Sequence, residues 1–228
     1  MGKRCIVIGA GLNITPARLA LINSDVNDGD LVILTGLSGD ALSALAEFTS
    51  QVYQDLNLKV EQFVLNPRAG LVDTVAGLRS FIEDYAPCSL TIGIAGDRWL
   101  ATVLGFLAMT IAAVGGFTNI SVDRVFTMPD KGESVDWPIT PRLINLSLTE
   151  YRVLRLICDG HSLAKEIVKA YASRFSESIS IQVVERVLAK LRARGLVSAK
   201  PSGKAYLYDV AAVGRLIACR VPVIRSEV

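Results

Sequence analysis

The stretch Ser89–Gly116, SLTIGIAGDRWLATVLGFLAMTIAAVGG, decides the fold. Leu90–Ala95 is an apolar run of strand length, Gly96-Asp97-Arg98 breaks it, and no charge follows from Trp99 to Ile120. A strand, a glycine-bearing turn and a long apolar helix predict a βα unit. In open α/β sheets, ligands bind where such turns leave the carboxyl ends of the strands. Gly96 admits a ligand close to the backbone. Arg98, at a helix start, offers a guanidinium fork to a phosphate. The uncharged run is also about long enough to span a bilayer. Nothing else in the chain repeats it, nine small residues between Ala101 and Gly116 dilute it, and it sits in a strand–helix alternation that needs buried helices. A core or dimer-interface helix is therefore expected, with Gly105, Ala108 and Ala112 spaced to let a partner helix approach.

Upstream, the same alternation repeats. Cys5–Ala10 (CIVIGA) and Leu31–Thr35 (LVILT) are continuous apolar runs, the mark of strands buried on both faces. Lys59–Leu65 reads as a third strand. Helices are expected over Pro16–Asn23, with Thr15 as N-cap and Pro16 in the first turn, over Ala41–Asn57, and over Ala69–Tyr85, where apolar residues recur at helical spacing. Phe117–Phe126 supplies a further strand suited to an edge. The order predicts an α/β, Rossmann-like, doubly wound, mainly parallel sheet. Three small-residue loops then gather at its carboxyl end: Gly9–Thr15, Gly36–Asp40 and Gly96–Trp99. Gly9-Ala10-Gly11 is not a dinucleotide fingerprint, because GxGxxG needs glycine where Ile14 stands, and no P-loop lysine is present. What the loops offer is backbone N–H groups, the Asn13 amide, the Thr15 and Ser38 hydroxyls, and Arg98, a set suited to an anionic or nucleotide-like ligand.

Downstream, Met128–Pro141 is polar and proline-bearing, and residues 128–146 read as a linker or arm, with Trp137 as a packed clasp. Ser147-Leu148-Thr149-Glu150 is a capping box opening a helix over Leu148–Cys158. Ser162 is the expected cap of a helix over Leu163–Arg174. A third helix, Ser180–Arg194, stops at Gly195. Two short strands within Leu196–Val210 flank Lys200-Pro201-Ser202-Gly203-Lys204, and Asp209–Arg220 is expected to form a last helix. Three helices and a basic hairpin predict a winged helix-turn-helix at 147–228, after a sensing domain at 1–127. Ser180, Gln182, Arg186, Lys190 and Arg192 would face the DNA from the third helix, and Lys200, Ser202 and Lys204 from the wing. Arg155 and His161 share the Arg-x5-His spacing of HEPN ribonucleases. The position of the pair, at the end of a first helix with a hairpin downstream, argues against that activity.

Composition sets further bounds. The 228 residues carry four cysteines, Cys5, Cys88, Cys158 and Cys219, with no CxxC pair, so buried thiols in a reducing cytoplasm are expected, and neither a metal site nor a disulfide framework. Lys3-Arg4 leads straight into a strand, without the pattern of a signal peptide. Up to Leu146 there are 10 Lys and Arg against 15 Asp and Glu, a net −5; from Ser147 there are 14 against 7, a net +7. That asymmetry points to nucleic-acid contact at one end only.

On Gly11-Leu12-Asn13-Ile14-Thr15, Asp30–Thr35, Gly96-Asp97-Arg98-Trp99 and the helices and hairpin of Ser147–Val210, the chain resembles the archaeal CRISPR-associated transcription regulators that join a CARF domain to a winged helix. The resemblance implies a cytoplasmic homodimer that binds promoter DNA. It also implies a cyclic oligoadenylate, most plausibly cyclic tetra-adenylate, lying across the two-fold against Gly11, Asn13, Thr15, Gly96 and Arg98. Gly9, Ala10, Leu12, Asp97 and Trp99 complete the candidate ligand loops, and Ser38 joins them by geometry. The chain departs from the common pattern of such loops at Asp97. No catalytic residue, cofactor or membrane partner is expected. A ring nuclease cleaving its cyclic ligand, or an accessory protein of a CRISPR effector complex, are the alternatives.

Overall fold

A computed structural model describes residues 3–129, 133–137, 146–203 and 205–221, which fall into two units dividing between Leu143 and Ile144. The division falls inside the expected arm. Lys204 lies outside the described residues, as do 130–132 and 138–145 within the arm.

The first unit is a six-stranded, mostly parallel sheet. Its strands are β1 (Lys3–Ala10), β2 (Leu31–Gly36), β3 (Lys59–Val64), β4 (Cys88–Ile94), β5 (Ile120–Thr127) and β6 (Val135–Asp136), in the order β3-β2-β1-β4-β5-β6. All neighbours are parallel except β6, which runs antiparallel to β5. Helices α1 (Thr15–Ile22), α2 (Gly39–Val52), α3 (Gly70–Glu83) and α4 (Arg98–Thr118) connect them. The strand order reverses direction after β3, so right-handed crossovers put α1 and α2 on one face and α3 and α4 on the other, consistent with a Rossmann-like core. Ile6, Ile8, Val32 and Leu34 of the central strands pack with Ala17, Leu21, Leu42 and Leu45 of α1 and α2. β1, β2 and β4 are buried on both faces, which is why they read as unbroken apolar runs.

Several expectations shift. Thr15 is the first residue of α1 and not its cap; Ile14 holds the cap position, and the Asn13 carboxamide oxygen accepts the Thr15 N–H at 3.1 Å. α2 stops at Val52, five residues short of Asn57, because the Asp28 carboxylate takes the Asn57 N–H at 2.8 Å and holds that segment outside the helix. Phe117 belongs to α4, which ends at Asn119 in a left-handed conformation (φ +56°) before β5 starts. β5 is not the edge of the sheet: Arg124 pairs with Asp136 at 2.9 Å and reaches the Asn23 carbonyl at 2.7 Å, fastening β6 alongside.

α4 is the one described helix long and apolar enough to cross a bilayer, and more than half of its apolar window is buried within the unit, as in a core helix. Part of the face expected to meet a partner is covered from within the unit. Gly105 lies under the Trp137 ring, Ala108 is buried and Ala112 is half-buried; Arg98, Thr102, Phe106, Met109 and Gly116 are the exposed residues of the helix. Trp137 is a clasp, its indole N–H donating to Thr127 Oγ1 at 2.7 Å.

The second unit holds α5 (Leu148–Cys158), α6 (Ala164–Phe175), α7 (Ile181–Ala193), the antiparallel hairpin β7 (Val197–Ser202) and β8 (Ala205–Val210), and α8 (Ala212–Ala218). The capping box of α5 is complete. Ser162 does not cap α6. Leu163 holds that position, and the Glu166 carboxylate accepts both the Ser162 and Leu163 N–H groups at 3.1 Å. Lys200 and Pro201 lie within β7 and not at the hairpin tip. The last helix is shorter than Asp209–Arg220, since Asp209 and Val210 finish β8.

The cysteine expectation is corrected for one pair. Cys158 at the end of α5 and Cys219 at the end of α8 form a disulfide, with Cα atoms 5.0 Å apart across 61 residues of sequence. Arg155 reinforces the same junction by donating to the Ala218 carbonyl at 2.6 Å, so it is engaged with α8. Cys5 and Cys88 are buried thiols.

Candidate functional site

The loops leaving β1, β2 and β4 lie side by side, because those three strands are neighbours in the sheet. Gly11 and Gly96 bring two of them into backbone contact. A Cβ on Gly11 would stand 2.9 Å from Gly96 Cα, and a Cβ on Gly96 would stand 2.9 Å from Gly11 N. Gly96 also sits at φ +108°, which disfavours any side chain. A Cβ on Gly36 would collide with the Ala10 carbonyl, so the first and second loops are equally tight.

Around this seam the candidate residues divide into two groups. Gly9 and Ala10 are interior strand residues. A Cβ on Gly9 would meet Leu104 Cδ1 at 2.6 Å, so Gly9 makes room for α4 and lies below any ligand. Gly11 is buried against Gly96. Leu12, Asn13, Thr15, Asp97 and Arg98 are exposed, and Ser38 and Trp99 are half-buried. Leu12 stands out at 90% exposure, an apolar side chain wholly in solvent at the rim.

Three of the polar groups already have work within the fold: the Asn13 carboxamide oxygen accepts the Thr15 N–H at 3.1 Å, and two others cap helices. Ser38 caps α2, accepting the Ala41 N–H at 3.4 Å. Asp97 caps α4, its Oδ1 accepting the Leu100 N–H at 2.9 Å. Asp97 therefore directs its carboxylate at the helix, and Arg98 has no ionic partner among the described residues. The rim thus offers one uncommitted guanidinium, an amide, a hydroxyl and an exposed leucine. That set suits an anion that also carries an apolar or aromatic group. No group of three or more possible metal ligands occurs among the described residues.

In the second unit, α7 buries Val184, Val187, Leu188 and Leu191 and turns Gln182, Glu185, Arg186, Ala189 and Arg192 outward, at the spacing of one helix face. Ser180 is its N-cap, accepting the Val183 N–H at 3.4 Å. Lys190 is exposed but leans on Glu150 at 3.7 Å, as does Arg194 at 3.2 Å. Burial would raise the Glu150 pKa; the Ser147 backbone N–H, the two cations and the Ser147 hydroxyl outweigh it, and the carboxyl titrates below its ordinary value. Glu150 thereby locks the start of α5 to the end of α7. Lys200 and Ser202 are exposed on β7.

Tyr206 and Tyr208 of β8 stand with their ring centroids 6.4 Å apart. They share a face because alternate strand residues do. Tyr208 has its phenol pushed up in pKa by burial first, then by the nearby Glu185 carboxylate, with Arg192 opposing. Its backbone N–H donates to the Ser162 carbonyl at 2.9 Å, tying the hairpin to the turn before α6. No protein-family model matches the chain, and no curated protein matches it.

Proposed function

We propose that the chain is a homodimeric, ligand-responsive transcription regulator acting in the cytoplasm, built like the CRISPR-associated regulators that couple a CARF domain to a winged helix. The first unit senses an anionic nucleotide, with cyclic tetra-adenylate as the leading candidate, through Gly11, Asn13, Thr15, Gly96 and Arg98. The second binds promoter DNA through α7 and the hairpin. The observation that carries this is the outward face of α7. Gln182 near its start is free to meet base edges, while Arg186 and Arg192 behind it, with Lys200 and Ser202 on the adjoining hairpin, suit phosphates. The uncommitted Arg98 beside two glycines in backbone contact supports the sensing half. Ligand acts on DNA affinity only through a difference in its affinity for two arrangements of the dimer. A disulfide is compatible with the cytoplasm of hyperthermophilic archaea, whose intracellular proteins carry such bonds.

The test is salt-titrated binding of the full chain to CRISPR-promoter duplex and to random duplex, with and without cyclic tetra-adenylate. Binding that weakens with salt, and weakens further in Arg186→Ala, is expected. No binding by the wild type at low salt defeats the proposal. A linear product released from the cyclic ligand would move the function to a ring nuclease.

A further inference from the structure

The amino end of the parallel sheet, away from the candidate ligand loops, carries a cavity that the proposed function leaves unused. It is open and measures about 750 Å³, between the C-terminal half of α4 and the starts of β4 and β5, with Cys88, Ile111, Ala112, Gly116, Ile120 and Val122 on its wall. Cys88 pairs with Ile120 and Leu90 with Val122, so Cys88, Ile120 and Val122 share the face of the sheet that α4 covers. On its other side Cys88 stands opposite Lys3 of β1, and Cys5 follows two residues along on that same face. Cys88 is 5% exposed, whereas Cys5 is fully buried. The cavity therefore reaches one thiol of the pair, and the second lies one strand deeper.

We propose that Cys88 is a modification site, a thiol that meets a small apolar or aromatic disulfide in this cavity and retains half of it as a mixed disulfide. The Cys88 thiol first gives its proton to solvent. Its sulfur then attacks one sulfur of the reagent R–S–S–R. The Cys88–S–S–R bond forms, the reagent's S–S bond breaks, and R–S⁻ leaves with the electron pair. Cys88 is oxidised and the reagent is reduced. Three features select Cys88 over Cys5. The cavity gives a path for attack and room for R, whereas Cys5 is enclosed. Lys3, opposite Cys88 in the register, places a cation beside the developing thiolate. The Cys5 S–H donates to Cys88 and holds the Cys88 thiol below its ordinary value, with burial opposing and Lys3 assisting. The same hydrogen bond, then burial, pushes the Cys5 thiol up, so the proton stays on Cys5. The apolar side chains on the wall set the class of R. This site stands apart from the sensing and DNA-binding proposals and does not rest on either.

The experiment treats the full chain, without denaturant or reductant, with 4,4′-dithiodipyridine. Thiopyridone release is timed by absorbance, and intact and peptide masses locate the adduct. A single retained thiopyridyl group is expected, on Cys88, with Cys5 reacting only after denaturation. Cys88→Ser loses the native-state adduct. Cys5→Ser, whose hydroxyl still donates, keeps it. Gly116→Leu tests the cavity itself. Gly116 is an exposed wall residue of α4 with nothing within 4 Å of a Cβ, so a leucine there narrows the cavity without displacing a neighbour. It is expected to slow the reaction severalfold, since exchange depends on access. If Cys88→Ser misfolds, as circular dichroism will show, the wild-type peptide masses and Gly116→Leu carry the comparison. Four results would each overturn the proposal. One is an unmodified Cys88 under conditions that consume free glutathione. Another is reaction of Cys88 and Cys5 at the same rate, which marks global unfolding as the route. A third is a rate that Gly116→Leu leaves unchanged. The last is thiopyridone release with no retained group, which makes Cys5 the displacing thiol.

Discussion

Gly11 and Gly96 come from loops 85 residues apart in sequence, and their backbones touch so closely that neither position has room for a methyl group. The carboxyl ends of β1 and β4 are thereby joined at the point where the sheet order reverses. Gly96→Ala adds two penalties, a left-sided φ and a clash with backbone, and is expected to cost about 2–3 kcal/mol. Denaturant unfolding followed by far-ultraviolet circular dichroism checks this. Gly39→Ala is the control, since nothing lies within 4 Å of a Cβ there; a cost at Gly96 no larger than at Gly39 would contradict the seam.

The Cys158–Cys219 bond closes a loop of 61 residues. In the chain-entropy picture such a closure stabilises by about 4 kcal/mol. Under denaturant without reductant, two thiols, Cys5 and Cys88, are expected to react with a thiol reagent, and four after reduction. Reduction, or Cys219→Ser, lowers the unfolding temperature of the second unit. Four reactive thiols before reduction would show that the bond is not formed.

Glu150 has its pKa lowered from the ordinary 4.5 by Ser147, Arg194 and Lys190. A carboxyl with a depressed folded pKa stabilises the fold above its unfolded value, and that contribution is lost as pH falls from 4.5 through the folded value. Acid unfolding of the second unit is therefore expected to steepen below pH 4.5 in the wild type and to be shallower in Glu150→Gln. At neutral pH the glutamine variant is destabilised by about 1–3 kcal/mol, through loss of charge-assisted bonds to a buried carboxylate. Parallel acid titrations of the two proteins would refute this by superimposing.

Arg98 is exposed and uncommitted, so Arg98→Ala is expected to leave stability within about 0.5 kcal/mol of the wild type. It should also abolish binding of cyclic tetra-adenylate, measured by isothermal titration calorimetry. Asp97→Ala separates the roles of the two neighbours. It removes the α4 cap and costs about 1 kcal/mol, while taking a negative charge away from where the phosphates of the proposed ligand would lie. Retained ligand affinity in Arg98→Ala would remove the guanidinium from the site.

What could be seen in the sequence depended on how local its cause was. β1, β2 and β4 announce themselves as apolar runs, and α5 matches its expected ends because Ser147 and Glu150 cap it within one turn. The end of α2 depends on Asp28, 29 residues away from Asn57, and the disulfide on two helix ends brought together by folding, so neither is visible in a local pattern. The covering of Gly105 on α4 was hidden for a related reason. Small residues suit a packed helix whatever packs on it, and only the clasp by Trp137 shows that Gly105 is covered from within the unit. The three loops were legible as glycine-rich breaks. That Asp97 spends its carboxylate on Leu100, leaving Arg98 uncommitted, depends on the geometry of the turn and not on its composition.

The clasp has a practical consequence. The chain contains two tryptophans, Trp99 in the first turn of α4 beside the candidate ligand loops and Trp137 laid over Gly105 midway along the arm. Intrinsic fluorescence of the unlabelled protein thus reports from both places at once. Replacing Trp137 with phenylalanine would leave a single emitter beside Arg98, and replacing Trp99 would leave one on the arm.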